Sequence, residues 1–430
     1  MSLTHMPLNV MFNSFGTYPS GWRHLDRPLE FGTTQRYVEF ARVAERGGFD
    51  ALMLGDVLVA PANPSTGPWT GLDPMVVLST VAAHTDSIGL IATLSTTFNR
   101  PFNVARAIAS LDQVAHGRAG WNIVTTADPR AVGQLGGIPD LTGPQRYARA
   151  QEFVQAVCGI WQSWVPGTEF GADVGGRFVD PETRRPFSLD GEYLSVIDAV
   201  SPVPPSPQGR PALVQAGASA QGRDLAARFS DAAFTVQHEL GAAREFRADL
   251  RERARGHGRT PPAVLPALQV YIESTRAEAA EVLAQIEHAH DEHAVAFFAD
   301  RVGLPVEELV LDRPLSADQL SRARPPVPAF FSAAAELTRR EGLTVRELIT
   351  RGLHHNRSVA LTPDDLVDLI EEWVRTGAAD GFNLSSARGI VDLERLVDHV
   401  VPLLESRGLR SRDRYALPTL RGRLGARLTR

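Results

Sequence analysis

Short apolar runs with strand character alternate with longer, helix-spaced segments along almost all of this chain. That alternation constrains its fold more than any other feature. Residues 8–12 (LNVMF) read as a strand, and 34–46 carry apolar residues at helical spacing, at Val38, Phe40, Ala41, Val43 and Ala44. Gly47 and Gly48 stop that helix, as glycine does at helix ends. The rhythm repeats with strands at 50–54, 87–95, 119–125, 212–215, 232–236, 265–272 and 381–384, and helices at 74–84, after Pro101 and at 144–161. About eight β-then-α units in series imply a parallel sheet, and eight that close on themselves make an (α/β)8 barrel. A doubly wound open sheet shares the same alternation.

Two stretches break the rhythm. Residues 168–197 are rich in Gly, Asp and Arg and read as a hairpin insertion. Residues 290–358 carry helical pieces punctuated by Pro305, Pro314, Pro325, Pro326 and Pro328. A long insertion at the mouth of a barrel commonly serves as a lid. The whole of 1–430 is thus expected to be one (β/α)8 TIM-barrel domain carrying these two insertions.

Composition narrows the function. The 430 residues carry a net charge of −6, which disfavours a nucleic-acid partner. Arg421, Arg423, Arg427 and Arg430 read as a solvated tail. The single cysteine, Cys158, sits in an apolar run, reads as a small buried hydrophobe and fits a reducing compartment. With no signal peptide or membrane-length apolar run visible, a cytoplasmic location without membrane association is expected.

Neither a Gly-x-Gly-x-x-Gly after the first strand nor a P-loop motif is present, which disfavours nicotinamide dinucleotides and nucleoside triphosphates. His288, His290, Asp291 and His293 lie in a polar helical segment and read as a solvated face, so no metal site is assigned. Residues 91–97 (IATLSTT) and 119–126 (AGWNIVTT) are apolar strands ending in polar groups, and such strand ends face the catalytic mouth of a barrel. Residues 215–222 (QAGASAQG) run from a strand into a helix through small residues. They can admit a ligand phosphate to the helix N-terminus, with Ser219 as N-cap. Phe12, Trp22, Phe98, Trp121 and His238 are candidate mouth-lining side chains and favour an aromatic or apolar substrate over a polyanion.

Six stretches together carry a resemblance: 37–56 (YVEFARVAERGGFDALMLGD), 87–106 (SIGLIATLSTTFNRPFNVAR), 117–126 (GRAGWNIVTT), 146–153 (RYARAQEF), 206–234 (SPQGRPALVQAGASAQGRDLAARFSDAAF) and 379–384 (ADGFNL). In order and over nearly the whole chain, they resemble the luciferase-like flavin monooxygenases of the nitrilotriacetate monooxygenase, dibenzothiophene-sulfone monooxygenase and pristinamycin IIA synthase branch. The resemblance implies a bacterial-luciferase-like barrel that takes reduced FMN and O2 and oxygenates a small organic molecule through a flavin peroxide. It implies a separate NAD(P)H:flavin reductase and a homodimer or homotetramer. It places cofactor contacts on Asp56, Thr93, Asn122, Thr125, Tyr147, Gly217, Ala218 and Ser219, with Thr93 and Asn122 also controlling the oxygen step. A deazaflavin-dependent oxidoreductase on the same barrel, or a flavin-binding protein without catalysis, is the alternative. The chain departs from the pattern at Gly143, where many relatives carry histidine four residues before the tyrosine, and at Gln134-Leu135-Gly136, which replaces a usual Asn-Phe-Gly.

Overall fold

The computed structural model describes residues 5–12, 33–60, 71–126, 129–136, 141–171, 176–288, 290, 292–325, 328–352, 356–413 and 415–425. Eleven strands occur among them: β1 (Leu8–Met11), β2 (Ala51–Leu54), β3 (Gly89–Ser95), β4 (Ala119–Val124), β5 (Phe187–Asp190), β6 (Ser195–Ala199), β7 (Ala212–Gln215), β8 (Ala232–Thr235), β9 (Ala263–Ile272), β10 (Arg357–Leu361) and β11 (Phe382–Ser386). Eight of them form a closed parallel ring in the order β1-β2-β3-β4-β7-β8-β9-β11, with β11 pairing back onto β1. Closure excludes the open-sheet alternative. Helices follow the strands and wrap the ring, which is the (β/α)8 barrel expected from the alternation.

Side-chain parity divides the core into two layers, since successive strand residues point to opposite faces. Ala51, Met53, Ile91, Ala212, Val214, Phe234 and Leu265 cluster inside the ring. Leu8, Val10, Leu52, Leu90, Trp121, Ile123, Leu213 and Leu384 pack outward with the helices. Helix Thr34–Arg46 buries Tyr37, Val38, Phe40, Ala41 and Ala44 in that outer layer. Helix Pro74–Ala82 starts where the Asp73 carboxylate accepts from Met75 N at 2.7 Å and proline occupies the first turn. Gly117, which ends helix Pro101–Val114, takes φ +84°, a conformation that favours glycine.

The N-terminal end of the barrel is shut by two devices. The buried Asp50 carboxylate hydrogen-bonds His5 Nε2 at 2.8 Å and accepts from Leu8 N at 2.8 Å and from Arg410 at 3.1 Å. Burial alone would raise this carboxyl, but Arg410 and His5 outweigh it and hold it below the usual carboxylate range. Helix Leu420–Gly425 then inserts Leu420 and Leu424 into the inner cluster. This corrects the expectation of a solvated basic tail. Arg421 pairs with Asp231, and Arg423, 1% exposed, lies 5.1 Å from the Tyr415 ring. Arg427 and Arg430 lie outside the described residues.

Strands β5 and β6 form an antiparallel hairpin held to helix Gly143–Trp161 by Glu152, whose carboxylate accepts from the backbone of Glu192, Tyr193 and Leu194. Between β9 and β10 lie helices Arg276–His288, Glu292–Val302, Ala317–Arg322, Pro328–Glu341 and Val345–Thr350. Several share a small core of their own around Phe298, Val302, Leu337 and Leu348. Strand β10 was not expected from sequence. It pairs with the C-terminal half of β9, from Arg357↔Leu268 to Leu361↔Ile272, beyond the point where β8 stops pairing at Thr235↔Pro266. Helix Arg276–His288 packs over this part of the sheet, in a cluster with Tyr271, Ala360 and Ala387. That contact places the insertion at the C-terminal end of the barrel. No helix among the described residues is long and apolar enough to cross a membrane.

Candidate functional site

The C-terminal mouth gathers a group of polar side chains at the strand ends. Thr93 and Asn122 are register partners on β3 and β4, and both have the inward parity of Ile91. Asn122 Nδ2 donates to Thr93 Oγ1 at 3.0 Å. Each residue is 5% exposed, and Asn122 Oδ1 is buried with no partner among the described residues. One layer up, Ser95 Oγ accepts from Thr126 Oγ1 at 2.8 Å and from Thr97 N at 3.1 Å. Thr125 lies half-buried just past β4. Lower in the barrel, level with Ala51 at the start of β2, Asn9 and Asn383 are register partners. Asn9 Nδ2, Asn9 Oδ1 and Asn383 Oδ1 are buried with no partner among the described residues, and Ser385 Oγ, two residues higher on β11, is buried without one as well. Buried polar atoms are almost always satisfied, so such a group marks a place where water or a ligand belongs.

A second cluster forms where β7 enters helix Ala220–Phe229. Ser219 caps the helix, its Oγ accepting from Gly222 N at 3.0 Å, which leaves its hydroxyl proton free to donate outward. Gln215 Oε1 accepts from Gly217 N at 2.7 Å and holds the turn. A Cβ on Gly217 would sit 2.9 Å from Gly222 Cα and 3.1 Å from the Tyr147 hydroxyl. Glycine is therefore required at 217, and Tyr147 reaches this turn from helix Gly143–Trp161. Ala218 packs against the neighbouring helix cluster. A hydroxyl from one helix, an N-cap hydroxyl and a crowded small-residue turn at the start of a ten-residue helix suit a phosphate ester. Together with the orphaned Asn122 oxygen at the mouth, these residues fit a flavin mononucleotide.

Asp56 lies two residues past β2. Burial, then the nearby Asp73 carboxylate, raise its pKa to about 6. Gly143 opens its helix, and a Cβ there would meet only Arg146 Nη2 within 4 Å, at 3.9 Å, so the absent histidine leaves open space. Nearby, Gln145 completes a capping box with Thr142, and Arg146 donates to Leu141 O. Arg149, which sequence reading passed over, reaches from the same helix to Thr96 O at the end of β3.

Several of the expected mouth-lining side chains lie elsewhere. Trp121 is fully buried in the outer layer, its Nε1 donating to Leu94 O at 3.0 Å. Its neighbour Asn122 points inward, so Trp121 must point out. Phe12 stacks on Tyr37 with ring centroids 4.0 Å apart, again in the outer layer. Trp22 lies outside the described residues, and Phe98 is half-buried beyond β3. His238 does line a cavity, three residues past β8. Of the polar histidine segment, His290 Nε2 hydrogen-bonds Thr350 Oγ1 at 2.8 Å, while Asp291 lies outside the described residues.

A closed parallel barrel with a polar C-terminal mouth and a small-residue turn after β7 has the layout of a barrel enzyme whose ligands sit at the strand C-termini. The luciferase-like monooxygenase family model matches residues 17–380. N-acetyl-S-(2-succino)cysteine monooxygenase of Bacillus subtilis is 34% identical, over 97% of this chain and 96% of that protein. Nitrilotriacetate monooxygenase component A of Aminobacter aminovorans is also 34% identical, over 98% and 96%. A riboflavin lyase solved with modified FMN and riboflavin superposes with a TM-score of 0.83 at 27% identity, covering 98% of this chain and 95% of that one. The chain belongs to the luciferase-like monooxygenase family.

Proposed function

We propose that this chain is the oxygenase component of a two-component system, oxygenating a small organic substrate with O2 and reduced FMN delivered by a separate NAD(P)H:flavin reductase. The observation that carries this reading is the Thr93–Asn122 pair, buried at the mouth with the Asn122 oxygen unclaimed. Bound reduced FMN supplies the electrons that activate O2. Tyr147, Ser219 and the backbone of Gly217 and Ala218 hold its phosphate, which fixes the register of the cofactor in the barrel. Thr93 and Asn122 hold the ring edge and present fixed dipoles where negative charge develops on oxygen, and groups already in place stabilise such charge best. Thr125 flanks the same edge. Asp56 accepts a hydrogen bond from the cofactor side of the mouth. The helical insertion over β9–β11 excludes water from the reacting centre. The want of a dinucleotide fingerprint in the sequence supports delivery of reducing equivalents by a partner.

The test is aerobic turnover under 18O2 with an unrelated NADH:flavin reductase and a panel that includes N-acetyl-S-(2-succino)cysteine and nitrilotriacetate. Gain of one 18O atom in a panel compound supports the reading. Reduced-flavin consumption that yields only hydrogen peroxide with every compound counts against it.

A further inference from the structure

The strand that sequence reading missed creates a cavity. Because β8 leaves β9 after Pro266 and β10 takes its place only from Leu268 onward, a gap opens between the post-β8 segment and the free edge of β10. The resulting cavity has a volume of about 400 Å³, within the range of small-molecule sites. Its roof is the helical insertion, through Leu283, Glu287 and Leu337.

Two nitrogen-bearing side chains line this space with no side-chain hydrogen bond to a described residue. His238 Nε2 is buried and makes no hydrogen bond among the described residues. Burial, then the nearby Arg357 charge, lower its pKa to about 4, so the ring is neutral at neutral pH. Arg357 lies 5.4 Å from the Trp373 ring and forms no ion pair with a described carboxylate. Glu239 and Glu372 act on this charge only from beyond ion-pair distance, and a largely buried guanidinium compensated that weakly points to an anionic ligand. The other charges lining the cavity are mostly engaged. Glu239 pairs with Arg340, Arg351 with Glu341, and Glu347 accepts from Thr344 in a capping box. Glu287 remains on the roof, where its negative charge opposes a second anionic group on a ligand. Leu283, Leu337 and Leu361 supply apolar walls.

We infer that this cavity binds a monocarboxylate with an apolar body, its carboxylate held by Arg357 and His238 Nε2 and its body against Leu283, Leu337 and Leu361. The inference rests on the oxygenase reading only in naming the ligand as substrate; the binding itself is independent of flavin. Arg357 and His238 would then set substrate specificity. Of the lining side chains expected from sequence, His238 is here joined by Arg357 rather than by the large aromatics, with the preference for an apolar ligand over a polyanion kept.

The test uses the full chain and calorimetric titration with hexanoate, its neutral isostere hexanamide, and the dianion adipate, each with and without FMN. Hexanoate is expected to bind at least about tenfold more tightly than either of the others, the scale of one charge-assisted contact. Arg357→Met should remove that margin, Arg357→Lys should restore part of it, and His238→Phe should reduce it. FMN affinity should stay unchanged in all three. If Arg357→Met does not fold, His238→Phe and Arg357→Lys decide. Equal binding of hexanoate and hexanamide, adipate binding as tightly as hexanoate, or a margin that survives these substitutions would overturn the inference. Loss of FMN binding by the wild type with hexanoate binding intact would count against the flavin reading and leave this one standing.

Discussion

The two ends of this barrel are closed in different ways. At the N-terminal end, Asp50 is fully buried yet has His5, Arg410 and Leu8 N as partners, and Leu420 and Leu424 plug the inner core. At the C-terminal end, Asn122, Ser385 and His238 keep buried polar atoms with no partner among the described residues; at the N-terminal end the buried Arg423 guanidinium has none either and lies over the Tyr415 ring instead. Buried polar groups left unsatisfied destabilise a fold. Asp50 with its partners and the leucine plug close one end of the barrel, while Asn122, Ser385 and His238 leave polar atoms open at the other, where a ligand can reach them. This is the division expected of a (β/α)8 barrel, whose chemistry sits at the strand C-termini.

The contrast is broken most severely by Asp50→Ala. It strands Arg410 in a buried site, and removing one partner of such a pair costs about 3–5 kcal/mol. Urea denaturation should show that loss, while protein that remains folded should bind FMN as the wild type does. The same carboxylate makes the wild type acid-sensitive. Its pKa is lower folded than unfolded, so its contribution is full above about pH 4 and is lost as pH falls further. The slope should vanish in the variant.

Thr93→Val and Asn122→Ala should do the reverse. Each removes a group aimed at developing charge, a change that typically raises a barrier by about 2.7–4 kcal/mol. Stability should change little, and FMN should still bind through its phosphate contacts. The readout is the ratio of oxygenated product to hydrogen peroxide in a single turnover. A wild-type ratio in both variants would remove these residues from the oxygen step.

Tyr147→Phe sharpens the comparison within the mouth itself. It should weaken FMN binding by about 1–2 kcal/mol, the scale of a hydrogen bond to a charged group, and leave riboflavin binding nearly unchanged. Equal losses for the two ligands, measured by fluorescence titration, would separate Tyr147 from the phosphate.

The smallest effect is expected at Asp56. Its folded pKa, about 6, lies above the unfolded value, so the folded state binds the extra proton and stability declines as pH rises from about 4 to 6. Asp56 is half-exposed, which keeps the effect small. Asp56→Asn should flatten that slope and melt slightly higher at pH 7. Melting curves of both proteins across this range provide the check.

Much of the barrel was legible because its strands are apolar and its helices amphipathic, and these periods differ. The resemblance singled out Thr93 and Asn122, and their position near the ends of consecutive strands accounts for their pairing. Trp121 misled because its size drew attention, although the period of two already sets it opposite Asn122. Helix Leu420–Gly425 was hidden because its arginines read as solvated, whereas its two leucines, four apart, fill the barrel floor. Strand β10 was hidden for a different reason. Its five residues follow a helical insertion, and its partner on β9 lies more than eighty residues earlier in the chain. Non-local pairing of that kind leaves no local signal. The cavity depends on it, so Arg357 was equally out of reach, although the sequence already marked His238 as a mouth-lining candidate.

The central claim, that the open end of the barrel is a reduced-flavin site anchored by its phosphate turn, is tested most directly by one anaerobic titration series. Reduced FMN, reduced riboflavin and NADPH are added separately to the wild-type protein and followed by calorimetry. Reduced FMN is predicted to bind most tightly, reduced riboflavin at least about tenfold more weakly for want of the phosphate contacts, and NADPH more weakly than reduced FMN. Tight NADPH binding with no response to reduced FMN would contradict the account.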